Sequence, residues 1–88
     1  MKRYYIVFTG RVQNVGFRNT VKMLADKLNL SGWVRNMANG NVEMEIEGNE
    51  ENIALLLRKM QTRVSWIKIT DYAQKEIALK HDNNFLII

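Results

Sequence analysis

The sequence contains no cysteine. Disulfides are excluded, and with them any reaction carried by a thiolate. Such a composition suits a reducing compartment, and a cytoplasmic protein is expected. Long apolar runs are missing as well. Behind Lys2 and Arg3, the stretch Tyr4 to Phe8 is too short for a signal-peptide core or a membrane span. Histidine occurs once, as His81 in a polar stretch, without partners at metal-ligand spacing. Acidic residues are scarce in the first half. Residues 1–44 carry Lys2, Arg3, Arg11, Arg18, Lys22, Lys27 and Arg35 against only Asp26 and Glu43, whereas residues 45–88 are close to balanced. A basic half, in a chain of net charge +4, suits an anionic partner. Charge alone does not choose among nucleic acid, a membrane surface and a small phosphorylated molecule.

What is present is an ordinary globular composition, 47% hydrophobic and 25% charged, in a chain of 88 residues with room for one core. Residues 1–88 are read as one domain. Residues 3–9 alternate, with Tyr4, Ile6 and Phe8 on one face, and predict a central strand. Phe17, Val21, Leu24, Ala25 and Leu28 recur at helical spacing and predict a helix from about Phe17 to Leu28. Ser31–Asn36 reads as a second strand. Asn39-Gly40 supplies the positive-φ residues of a hairpin turn. In Asn41–Glu47, Val42, Met44 and Ile46 alternate with Glu43, Glu45 and Glu47, which predicts one buried face and one solvated face. Asn49 reads as the N-cap of a second helix whose buried stripe is Ile53, Leu56, Leu57 and Met60. Val64–Tyr72 is expected as a fourth strand, 73–84 as irregular, and Phe85–Ile88 as a short terminal strand.

The order β-α-β-β-α-β plus a terminal strand predicts a ferredoxin-like α+β sandwich, two helices on one face of an antiparallel sheet. This topology has a consequence for function. If the third strand pairs antiparallel with both the first and the second, those two are parallel and end at the same edge. The loop after the first strand, Gly10 to Gly16, then meets Asn36.

That loop is a glycine-bounded strand-to-helix connection with arginines at both ends. Successive N–H groups of Gln13, Asn14, Val15, Gly16, Phe17 and Arg18 can form an anion nest at the helix N-terminus. Asn14 tolerates the left-handed backbone region. Arg18, in the first helical turn, can fold over the nest with a planar fork suited to two phosphate oxygens. The surroundings lack His, Cys, Asp and Glu, so no triad, carboxylate pair or metal cluster is expected. Such an inventory positions a phosphate, stabilises its charge and orients a water. It suffices when the leaving group needs no proton. A carboxylate, with a conjugate-acid pKa of about 4, is such a group, and an alkoxide is not.

Gly10-Arg11-Val12-Gln13-Asn14-Val15-Gly16-Phe17-Arg18, followed by Gly32-Trp33-Val34-Arg35-Asn36 and Gly40-Asn41-Val42-Glu43, closely resembles the acylphosphatases in motif, order and spacing. The likeness runs on through Glu47-Gly48 to Phe85-Leu86-Ile87. It implies hydrolysis of the carboxyl–phosphate bond of an acyl phosphate, with no metal, no cofactor and no covalent intermediate. It implies that Arg18 and the loop amides bind the phosphate and that Asn36 orients the attacking water. The chain departs from the family at Asn14, where glycine is usual, and at Met37, where threonine often follows the asparagine. Gln61-Thr62-Arg63 replaces a Gly-Pro connection.

Two other readings compete. A non-catalytic anion-binding domain, or one that handles carbamoyl phosphate, would keep the loop. An RNA-binding module of the same fold class would carry aromatics on its central strands, and the Glu43, Glu45, Glu47 face speaks against it. No nucleic acid and no membrane is expected as partner, and a monomer is the default.

Overall fold

The computed structural model describes residues 1–62 and 66–88. The elements are β1 Lys2–Arg11, α1 Phe17–Lys27, β2 Ser31–Asn36, β3 Val42–Gly48, α2 Glu50–Thr62, β4 Lys68–Ile77 and β5 Phe85–Ile87. The strands form one sheet in the order β4-β1-β3-β2-β5. β3 pairs antiparallel with both β1 and β2, so β1 and β2 run parallel and end at the same edge. β5 adds to β2 in parallel, which makes the sheet mixed where an antiparallel one was expected.

The expected helical stripes are the buried ones. Phe17, Val21, Leu24 and Ala25 of α1, with Ile53, Leu56, Leu57 and Met60 of α2, meet Ile6, Phe8, Val34, Val42, Met44, Ile46 and Phe85 of the sheet. Asn49 caps α2: its Oδ1 accepts the N–H groups of Glu51 (2.8 Å) and Asn52 (3.2 Å). In the β2–β3 turn only Gly40 has a positive φ, 94°. Asn39 serves differently from expectation, its Oδ1 accepting the Asn41 N–H at 3.0 Å.

β4 departs most from the sequence reading. The expected strand Val64–Tyr72 begins on residues outside those described, and the observed strand runs Lys68–Ile77. Residues 73–77, expected to be irregular, are therefore strand. β4 is an edge strand exposed along most of its length on both faces, so selection for alternation is weak and the polar run resembles a loop. Ile67 is buried and Trp66 is exposed.

The three glutamates of β3 are the second correction. They were expected in solvent, yet Glu47 is only 1% and Glu43 8% exposed. Alternation correctly places them opposite the core, but that face is covered. Residues 78–84 cross it, since they join strands at opposite edges of the sheet. The buried Arg3 donates from Nε to Glu45 at 2.8 Å and from Nη1 to Glu47 at 3.1 Å, with Nη2 3.0 Å from Asp82. The backbone N–H groups of Lys80 (2.8 Å) and His81 (3.0 Å) also donate to Glu47. Burial pushes the Glu47 carboxyl up, but Lys80, Arg3 and His81 together outweigh it and hold the group below the usual range. Glu43 is lowered by the Tyr5 hydroxyl first and by Arg35 second.

Candidate active site

The loop between β1 and α1 is built on alternate anchors. Val12 and Phe17 are buried, Val15 packs against the core, and the Phe17 ring lies 5.0 Å from that of Phe8. Asn14 and Gly16 face outward between these anchors. Asn14 takes the left-handed conformation, φ 61°, which an asparagine tolerates better than most residues. Gly10 turns out to serve the sheet, not the loop. It lies within β1 at an irregularity, and a Cβ there would meet the Lys68 carbonyl oxygen at 2.1 Å.

The N-terminus of α1 is open. Its cap, Gly16, is left-handed with φ 80° and supplies no side-chain acceptor, and no acidic residue occupies the first turn. The first intrahelical bond is Thr20 N–H to Gly16 O, 3.0 Å, which leaves the preceding amides for another acceptor. α2 is the internal contrast, with an asparagine cap and Glu50 and Glu51 in its first turn. Beside the open end lies a recess of about 160 Å³ lined by Val12, Asn14, Gly16, Phe17, Arg18, Asn19 and Ile87. Arg18 is half-buried, and among the described residues no carboxylate pairs with it. A larger cavity, about 450 Å³, lies between α2 and β4. It lacks an open helix end, so the smaller recess is the site suited to an anion.

Asn36 does not line the recess but stands beside the same loop. Phe8 of β1 pairs with Val42 of β3, and Val42 pairs with Asn36 of β2. Residues in one such row point to the same side, so Asn36 faces the helices and sits about 10 Å from Phe8, two strand spacings away. Its Oδ1 is buried and accepts no donor among the described residues. Arg35 and Glu43 belong to the next row and point to the other face, where Arg35 pairs with Glu43 and stacks over Trp33. Among the described residues, no three His, Cys, Asp or Glu side chains cluster in a way that could hold a metal ion. No helix among them is long and apolar enough to cross a membrane.

The sequence reading missed two features. Ile87 reaches the recess because β5 pairs in parallel with β2, a pairing with no local signature. The Gln13 side chain, considered only for its backbone N–H, donates to the carbonyl oxygens of Met37 (2.7 Å) and Asn41 (2.8 Å).

The fold is a ferredoxin-like sandwich whose first strand leads through an open amide loop to a helix carrying Arg18, an arginine without a carboxylate partner among the described residues, an arrangement suited to a phosphorylated small molecule. The chain belongs to the acylphosphatase family, which it matches over residues 4–87. It is 46% identical over 76 residues to an acylphosphatase of Bacillus licheniformis, covering 86% of this chain and 84% of that one. The acylphosphatase of Bacillus subtilis is 38% identical over 89 residues, with 100% and 98% covered. A crystal structure of a B. subtilis acylphosphatase superposes with a TM-score of 0.93 over 100% of this chain and 99% of that one, at 38% identity. A Coxiella burnetii acylphosphatase gives 0.90 at 26% identity, with 99% and 92% covered. The protein is an acylphosphatase by family and fold, an enzyme that hydrolyses acyl phosphates, and a binding-only module is not favoured.

Proposed function

We propose that the phosphoryl group sits against the amides of Gln13, Asn14, Val15, Gly16, Phe17 and Arg18, with the Arg18 guanidinium over it. One observation carries this reading. The α1 N-terminus is uncapped and free of acidic residues beside an arginine with no carboxylate partner among the described residues. Asn36, with a buried amide oxygen that takes no donor among the described residues, orients the water. The water oxygen forms a bond to phosphorus, and the bond from phosphorus to the acyl oxygen breaks in line with it. The carboxylate departs with the electron pair, and the water's proton passes to phosphate and solvent. No general acid is required, because the leaving group is a stable anion at neutral pH. Charge on the transferring group is met by amides and Arg18, so the reaction needs no metal. The same reading takes residues 1–88 as one domain that works as a monomer in the cytoplasm, which the cysteine-free composition supports.

Hydrolysis of benzoyl phosphate in the presence of a chelator tests the mechanism. Turnover should be unaffected by the chelator, and dependence on added metal would overturn the metal-free route. Arg18→Ala should lose at least about 10²–10³-fold in kcat/KM and lose protection by phosphate against heat. Asn36→Ala should keep that protection while losing most turnover. Phosphate protection of Arg18→Ala equal to that of wild type would remove Arg18 from its assigned role.

A further inference from the structure

We infer that the Gln13 side chain is a positioning residue that holds Asn36 in register with the phosphate loop. The inference rests on the role proposed above for Asn36. Two backbone carbonyls carry it. Met37 O accepts the Gly40 N–H at 3.2 Å and Gln13 Nε2 at 2.7 Å. Asn41 O accepts the Met37 N–H at 2.8 Å and Gln13 Nε2 at 2.8 Å. Both partners are acceptors, so the carboxamide faces them with its nitrogen, and both of its N–H groups are used. Gln13 therefore grips both arms of the β2–β3 turn at once. Met37 and Asn41 immediately flank the Asn36–Val42 pair, so the grip falls one step beyond the residue that meets the water.

The grip joins two parts of the site that lack another tie among the described side-chain hydrogen bonds. Gln13 begins the run of amides assigned to the phosphate, and Met37 follows Asn36 directly. Met37 has no hydroxyl with which to hold its neighbour, and Asn36 Oδ1 takes no bond from the described residues. Backbone placement is then what sets the Asn36 amide, and Gln13 is the side chain that fixes that placement to the loop. Displacement of a reacting group by an ångström is enough to cost about 10²-fold in rate. Phosphate affinity depends on the loop amides and Arg18, which remain when the carboxamide is removed.

The test compares Gln13→Met, Asn36→Ala and the double variant in benzoyl phosphate hydrolysis, with inhibition by inorganic phosphate measured alongside. Gln13→Met should lower kcat by about 10- to 100-fold while the phosphate inhibition constant stays within about twofold. In the Asn36→Ala background the same change should alter kcat by less than about twofold, because the residue acts through Asn36. Equal losses in both backgrounds, or a Gln13→Met enzyme with wild-type kcat, would overturn the inference. So would a phosphate constant that rises as much as kcat falls. If Asn36→Ala itself turns over like wild type, the water-orienting role fails and the inference with it. A slow Asn36→Ala beside a fast Gln13→Met defeats the inference alone. Should Gln13→Met not fold, Gln13→Asn, which keeps the amide but falls short of the two carbonyls, gives the same comparison.

Discussion

Gly10 and Gly40 share a positive φ, 129° and 94°, but not a surrounding. At Gly40 a Cβ would meet open space, so alanine there costs only backbone strain, on the order of 1 kcal/mol. At Gly10 it would meet the backbone of β4, with Lys68 O at 2.1 Å and Thr70 N at 2.8 Å. Neither atom belongs to a flexible side chain, so the strands must separate. Urea unfolding should find Gly10→Ala less stable than Gly40→Ala by at least about 1 kcal/mol. Equal midpoints would mean that the strands yield without cost. The need for glycine at position 10 is legible in the sequence, since a strand-to-loop boundary invites it. Its reason is not legible, because the neighbour that crowds it comes from a strand far along the chain. Asn14 is the opposite case, where the side chain itself announces the left-handed backbone that is found.

β3 shows what alternation can and cannot say at the scale of an element. The pattern Val42, Met44, Ile46 against Glu43, Glu45, Glu47 identifies the two faces correctly. It is silent on whether the polar face is covered, which Arg3, Tyr5 and residues 78–84 decide. The acid response follows from that cover. Glu43, Glu45 and Glu47 all have carboxyls held below the ordinary value. Groups depressed in the folded state contribute stability that is present above the unfolded pKa, about 4.3, and lost as pH falls through the folded values. Thermal melts between pH 7 and 3 should therefore hold level at the upper end and drop steeply below about pH 4. Glu47→Gln removes one of the three carboxylates around the buried Arg3, with Glu45 and Asp82 remaining, and should cost about 1–3 kcal/mol at pH 7, with a shallower acid limb. An acid limb as steep as that of wild type would show that the network does not set it.

Across the whole molecule the two faces of the sheet have separate chemistry. The helix side carries the recess and Asn36, and the other side carries the ion network. The residues lining the recess, Val12, Asn14, Gly16, Phe17, Arg18, Asn19 and Ile87, include no carboxyl, imidazole or thiol, the groups that serve as acids and bases between pH 5 and 8. At saturating substrate kcat should thus be flat over that range, falling in acid only as the fold does. A bell-shaped profile with the fold intact would reveal a general acid or base at work. The order of β1, β3 and β2, and with it the meeting of the loop and Asn36, is legible from one hairpin and one helix. The place of β5 is not, because three residues do not encode which strand they join. The same arrangement settles how the sheet ends. One margin is β4, ten residues long, studded with Lys68, Asp71, Lys75 and Glu76 and exposed on both faces. The other is β5, only three residues. A neighbouring chain seeking a strand to add to finds charge at one border and too little length at the other, the two devices by which native sheets avoid fibrous self-association.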